Sequence, residues 1–381
     1  MNTDINDIHK TCYPSVTVDL NKLYDNTKLV TDACRKDGIT VAGIVKGCNG
    51  IPEVGETMLR AGCTQLGTSR MDQIIDMKSR GMDDVEYLLV RIPMLSEAEE
   101  VAAYADISLQ SELSVIRAVN DACGKFGTHH DVILMADLGD LREGFWDRSE
   151  LVEAALCIEN SLDNINLRGV GTNLGCYGSI KPNVEKMNEL VSIAEAVESA
   201  IGRKLEIISG GATSSYPLVL EGAMPPRINH LRIGEGILLA YDLKEIWGLD
   251  MSGMRQDVFT LKAEVVEVRE KPSHPVGEIF IDCFGRKPEY EDRGIRKRAI
   301  LAMGKLDFAL NDKIFPRIDG VEVIGSSSDH CILDIEDCRQ DILVGDILEF
   351  DLSYPSLMYL TGSRYVNIEI KKQGVFKREE K

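Results

Sequence analysis

The sequence contains no apolar run approaching the 20 or so residues that a membrane-spanning helix needs. Met1–Lys10 is polar and mixed in charge, without the basic-then-apolar order of a secretory leader, so the expected location is cytoplasmic. None of the ten cysteines lies in a C-x-x-C pair or has a histidine at metal-ligand spacing, so no metal site is expected. Scattered thiols without a framework suit a reducing compartment, most of them as small buried hydrophobes. Positive charge is scarce: 43 Lys and Arg against 62 Asp and Glu leave a net charge of −19. Such a chain repels phosphate backbones and anionic lipids, so neither nucleic acid nor membrane is expected as a partner. No G-x-G-x-x-G follows a first strand, which weakens the case for a doubly wound open sheet.

What is present is an alternation. Eight apolar, β-rich runs occur before about residue 240: Ile39–Val45, Cys63–Ser69, Val85–Ile92, Ile107–Gln110, Asp131–Leu138, Leu167–Leu174, Leu205–Ser209 and His230–Ile237. Amphipathic stretches such as Pro52–Ala61, Ser111–Phe126, Glu150–Ser161 and Val184–Ile201 lie between them. Continuously apolar runs such as Val132–Met135 read as parallel strands buried on both faces. Eight strand–helix units predict an α/β, TIM-type (β/α)8 barrel over residues 12–247. From Phe259 on, strand candidates dominate: Leu261–Val268, Glu278–Cys283, Arg298–Met303, Val321–Ile324, Cys331–Ile335, Ile347–Leu352 and Tyr365–Ile370. A mostly β domain is therefore expected over 248–381, onto which residues 1–11 could also pack.

In such a barrel, chemistry collects where the strands end. Lys46 follows the first run, and an amine emerging from an apolar strand is partly desolvated and nucleophilic. Arg142 lies in the glycine-bracketed loop after the fifth run, free to reach an anion or to pair with Asp140 or Glu143. Past the sixth run stands Asn173, and past the seventh comes Ser209-Gly210-Gly211-Ala212-Thr213, small and hydroxyl residues suited to a phosphate. Arg232 interrupts the eighth run, either buried and paired or on the outer face, with Gly234 beside it. A lysine, a phosphate cradle and two arginines at one barrel mouth suit a phosphorylated aldehyde cofactor.

With these residues in view, the sequence resembles the alanine-racemase-like proteins, the fold type III pyridoxal-phosphate enzymes, and within them the ornithine racemase branch. The resemblance rests on Tyr13–Leu20 with Asn26, Val45-Lys46-Gly47, Asp137–Gly144, Leu231-Arg232-Ile233-Gly234 and Gly325–His330. It implies pyridoxal 5'-phosphate held on Lys46, Arg142 at the cofactor's ring oxygen and the substrate carboxylate, and Arg232 facing the pyridine nitrogen. It implies a homodimer with shared active sites, in which the β domain completes the partner's site through Ser328, Asp329 and His330. Asn173 stands where the family places a histidine under the ring, leaving a hydrogen bond in place of stacking. Gly304-Lys305-Leu306-Asp307 stands where the family has Gly-Tyr-x-Asp, so Lys305 occupies the position of the second catalytic base.

The function expected is interconversion of L- and D-amino acids by proton transfer at Cα, with Lys46 as one base. His330 is preferred as the other over Lys305, because a free imidazole titrates near pH ~6.5 and a free lysine amine near ~10.4. Tyr354 and Tyr365 stand behind them. Ornithine or another basic amino acid is the expected substrate. The rival readings are an alanine racemase, a non-catalytic pyridoxal-phosphate carrier, a metal-dependent aldolase or dehydratase, and a cofactor-free Schiff-base aldolase.

Overall fold

The computed structural model describes residues 12–282 and 284–372. The first strand, β1 (Ser15–Asp19), is followed by eight parallel strands: β2 (Thr40–Ile44), β3 (Gln65–Thr68), β4 (Tyr87–Leu89), β5 (Ile107–Gln110), β6 (His130–Met135), β7 (Ile165–Gly171), β8 (Ile207–Ser209) and β9 (His230–Ile233). These eight pair in sequence order, and β9 returns to β2, closing a barrel. Each expected run overlaps one of them, though β6 and β7 begin one and two residues earlier than expected. Helices cross between strands, ended by local chemistry. Helix Val184–Ile201 starts where Asn183 Oδ1 accepts from Lys186 N at 2.8 Å and stops at Gly202, whose φ of +74° suits glycine.

The barrel interior is unevenly filled. Ala42, Ile44, Leu88, Ile107, Leu109, Ile133, Met135 and Ile207 form one buried cluster, with Val90 and Ile92 packed on it. Burying an isoleucine or leucine contributes about 1.5–3 kcal/mol, so this cluster is a main support of the fold. A Cβ on Gly171 would meet Ser209, Ile133 and Met135, which puts Ser209 on the same inner face. On that side β3, β8 and β9 contribute the buried polar residues Gln65, Ser209, His230 and Arg232.

The chain divides into two compact units, one from Leu20 to Arg255 and one that joins β1 to the chain from Gln256 on. The second contains β10 (Phe259–Pro272), β11 (Ile295–Leu301), β12 (Ile314–Pro316), β13 (Glu322–Ser326), β14 (Cys331–Asp334), β15 (Ile347–Leu352) and β16 (Asn367–Lys371). Its sheet runs β12-β15-β10-β11-β14-β13. β1 joins it, antiparallel to β10 and parallel to β16, with Val18 opposite both Phe259 and Ile370.

These pairings correct the expected boundaries of 12 and 247. β1 does not open the barrel, because its ladder partners lie at the far end of the chain. The strand expected at Glu278–Cys283 is not formed. Glu278–Asp282 is irregular, with Phe280 and Ile281 exposed, and Cys283 lies outside the described residues. Elements not foreseen in this unit include β12, the short helix Lys305–Phe308 and the helix Tyr354–Gly362, which starts with Pro355 in its first turn. The expectation for residues 1–11 lies outside the described residues. Among the described residues no helix is long and apolar enough to cross a membrane.

Candidate active site

β2 delivers Lys46 to the barrel mouth. Val45 N still bonds to Gly67 O at 2.9 Å, and Lys46–Cys48 then form a single tight turn that ends at Asn49, with φ +54°. Gly47 and Cys48 are buried beneath it and Lys46 is half-buried. Burial holds the Lys46 pKa below the ordinary lysine value. Cys176 and Glu143 oppose that shift, while the charges of Arg142 and Arg232 reinforce it. An amine so placed is freer to act as a nucleophile or base.

The loop after β6 is folded by its own carboxylates. Asp137 Oδ1 accepts from Gly139 N at 2.8 Å and Leu141 N at 3.1 Å. A Cβ on Gly144 would lie 2.5 Å from Asp137 N, so the turn requires glycine there. Of the two acids considered for Arg142, Glu143 is the one engaged. It meets the guanidinium through Nε and through Nη2 at 2.7 Å. Asp140 does different work: it is buried and accepts from Gly175 N at 2.9 Å and Tyr177 N at 3.0 Å, fastening this loop to the one after β7.

Arg232 is 3% exposed and lies inside the barrel, not on its outer face. Its Nη2 donates to Thr172 O at 2.8 Å and its Nη1 to Ser209 Oγ. Burial lowers its pKa to about 10, which leaves it charged at neutral pH. Asn173, in the loop after β7, has a buried Nδ2 without a partner among the described residues.

The expected phosphate segment divides in two. The Ser209 hydroxyl is occupied by Arg232 and by His230 Nδ1 at 2.7 Å, and Gly210 N bonds to His230 O at 2.9 Å. Both belong to the barrel wall, which corrects their expected place in a phosphate cradle. Beyond them the backbone turns sharply at Gly211, φ +115°, where a Cβ would lie 2.6 Å from Ser215 Oγ. Thr213 Oγ1 accepts from Gly236 N at 3.1 Å, tying this turn to Gly234 and the end of β9.

Two groups at the mouth were missed from the sequence. Cys176, exposed, interacts electrostatically with Lys46, Arg142 and Arg232. Glu235, 7% exposed, accepts from Asp242 N at 2.9 Å through Oε1, while Oε2 is buried without a partner among the described residues. Burial, with the charge of Asp242 adding, raises its pKa to about 7. Glu235 stood inside the run His230–Ile237 and Cys176 just past Leu167–Leu174, but a lone thiol or acid in a loop carries no periodic signal.

The remaining candidates gather in the β domain. Ser327–His330 is the turn between β13 and β14, closed by Ser327 N on His330 O at 2.9 Å. The Lys305 segment docks on it, Lys305 N on Ser327 O at 3.0 Å and Leu306 N on Ser328 O at 3.1 Å. Gly304 permits that approach, since a Cβ there would strike Ser328 O and Asp329 N. Lys305, Ser328, Asp329 and His330 thus form one cluster, and Lys46, Arg142, Asn173 and Arg232 another, in separate compact units. Asp329 takes a hydrogen bond from Ser328 Oγ at 2.6 Å, and the Lys305 ammonium lies 3.9 Å from the Phe284 ring centre. Tyr354 opens the unforeseen helix, and Tyr365 is exposed in the loop after it.

Residues 18–242 match the family described as alanine racemase, N-terminal domain. An ornithine racemase of Acetoanaerobium sticklandii is 40% identical, over 94% of this chain and 99% of that protein. A lysine racemase of Thermotoga maritima is 38% identical, over 93% of this chain and 97% of that protein. Among solved structures, an alanine racemase from Streptomyces lavendulae superposes with a TM-score of 0.72 over 96% of this chain and 98% of that one, at 14% identity, a likeness of fold. On the family match and these two long, close alignments, the chain belongs to the alanine racemase family.

Proposed function

We propose that the chain is a pyridoxal-phosphate-dependent racemase of a basic amino acid, ornithine first. The observation that carries the reading is Lys46, an amine half-buried at the mouth with its pKa depressed by that burial. The full-length relatives named for ornithine and lysine support the substrate class.

The residues present fit the cofactor. Lys46 would hold its aldehyde carbon and Arg232 would face its ring nitrogen. The unpartnered Asn173 Nδ2 would lie against the ring, and Arg142 would reach its ring oxygen and the substrate carboxylate. The turn through Gly211, Thr213 and Gly234 would take the phosphate. When bound, pyridoxal phosphate supplies an electron sink that acidifies the Cα–H. Arg232 donates and keeps its own proton, so the group facing it stays unprotonated and the sink stays weak. Lys46 moves the Cα proton on one face. His330 serves the other, with Lys305 second, each reaching a partner copy's mouth in a two-fold dimer.

Borohydride reduction of the loaded protein should leave the cofactor on the peptide containing Lys46, and the protein should abolish the optical rotation of ornithine. Label on another lysine alone would sink the mechanism, and a higher kcat/KM for alanine would sink the substrate class. Sedimentation at assay concentration should give a dimer; an active monomer refutes the shared site.

A further inference from the structure

A barrel of this kind ordinarily fills its interior with layers of branched apolar side chains. Here one side does so, and the other carries a file of buried polar groups from the mouth to the opposite end. Arg232 Nη1 meets Ser209 Oγ, and Ser209 Oγ lies 2.7 Å from His230 Nδ1. His230 Nε2 lies 3.1 Å from Gln65 Oε1, and Gln65 Nε2 meets Glu86. Glu86 is in turn ion-paired with Arg168, which also holds Asp131 Oδ2 at 3.0 Å. His230 and Gln65 are the first residues of their strands, so the file runs from Arg232, near the end of β9, back to the starts of β9 and β3.

The chemistry of the two ends fixes every proton between them. A guanidinium only donates, so Ser209 Oγ accepts from Arg232. A carboxylate paired with arginine only accepts, so Gln65 Nε2 donates to Glu86, and the amide must present Oε1 to His230. Oε1 only accepts, which places a hydrogen on His230 Nε2. Burial, with the charges of Arg232 and Arg168 adding, pushes the His230 pKa down to about 3, so the ring is neutral and has one N–H. Nδ1 is therefore bare and takes the hydroxyl proton of Ser209. Each donor points away from the mouth. The other histidine buried among the described residues is the reverse case: His130 Nδ1 lies 3.0 Å from Ala105 O and must carry the hydrogen, leaving Nε2 to Ser108 Oγ at 2.8 Å.

We propose that Ser209, His230 and Gln65 are positioning residues for Arg232, fixing its guanidinium through neutral groups, while the carboxylate that ends the file, Glu86, is paired with Arg168. A carboxylate in direct contact would occupy the guanidinium fork and offset its charge. A hydroxyl whose proton is committed elsewhere orients the same fork and leaves the charge directed at the mouth. This inference rests on the reading of Arg232 as the residue that faces the cofactor ring.

The test is nitrogen NMR on protein labelled with 15N-histidine, both cofactor-free and loaded with pyridoxal phosphate, His230 being assigned by its loss in His230→Gln. His230 should show a bare Nδ1 and a protonated Nε2 without titrating from pH 5 to 9, and His130 the opposite pattern. Glu86→Gln removes the end that only accepts and frees the Gln65 amide to turn over. It should move the hydrogen of His230 toward Nδ1 and lower kcat roughly 10-fold with KM little changed, while borohydride still labels Lys46. A wild-type His230 protonated on Nδ1, or titrating in that window, overturns the proposal. So does a Glu86→Gln protein with neither tautomer nor kcat altered. Should Glu86→Gln fail to fold, the wild-type tautomer alone decides. If the tautomers are as stated but ornithine is not racemised and Lys46 is not labelled, the functional reading fails and the file stands as a structural support.

Discussion

The barrel mouth and the β13–β14 turn hold the two halves of the proposed chemistry, and they are built by opposite means. At the mouth, Lys46, Arg232 and Glu235 stand on or just past strand ends, and burial shifts the proton affinity of all three. At the turn, Lys305 and His330 are brought together by backbone hydrogen bonds and a glycine, but His330 and Asp329 are exposed. Desolvation is the larger lever on reactivity. The mouth is therefore tuned by the fold of one chain, whereas the turn only places its groups. The turn lacks a cover that excludes water, which the proposed dimer would supply.

The sharpest way to break this contrast is at Lys46. Lys46→Ala should cost about 10⁴-fold in kcat/KM for both enantiomers, since covalent attachment and one base are lost together. A residual rate within tenfold of wild type would remove the mouth from the chemistry. Next comes Arg232→Met, expected to lower kcat by roughly 10²–10³-fold. The same change should hold or raise the thermal midpoint of the cofactor-free protein, because a buried charge without a contacting carboxylate costs the fold. A clear drop in midpoint would show that Arg232 is there for stability.

The turn should respond differently. His330→Asn should slow solvent exchange of the Cα–H about 10²-fold for one enantiomer and leave the other nearly untouched, since Lys46 still serves its own face. Lys305→Met suppressing one rate while His330→Asn leaves both intact would reverse their order, and symmetric losses would point to Tyr354 or Tyr365. The smallest effect is at Glu235, whose pKa rises from 4.5 to about 7 on folding. Its contribution is whole below about pH 4.5 and is lost as pH rises through 7, a loss of up to about 3 kcal/mol. Denaturation midpoints from pH 4.5 to 8 should fall less for Glu235→Gln than for wild type; parallel curves would show that the burial is relieved.

The barrel was readable because its strands are apolar on both faces and its charges are exceptions to that pattern. Lys46 and Arg232 stand out against Ile39–Val45 and His230–Ile237 for that reason. Ser209 was misread because its neighbours are small and glycine-rich, while the partner that claims its hydroxyl, His230, is apart in sequence and adjacent only across β8 and β9. The helix Tyr354–Gly362 escaped notice because its apolar residues follow no single face. Phe280 and Ile281 gave a strand-like run, but apolar content alone does not supply a ladder partner. β1 shows the general limit, since pairing between residues about 350 positions apart leaves no trace in local pattern.

That last pairing also carries a cost in time. β1 needs both β10 and β16, so its two ladders join the beginning of the chain to its end, with the barrel between them. On a ribosome moving at about 5–20 residues per second, β16 follows β1 by roughly 20–70 s. For that interval Ser15–Asp19 has at most one of its ladders, and its open edge presents unpaired N–H and C=O groups to any other strand that arrives first.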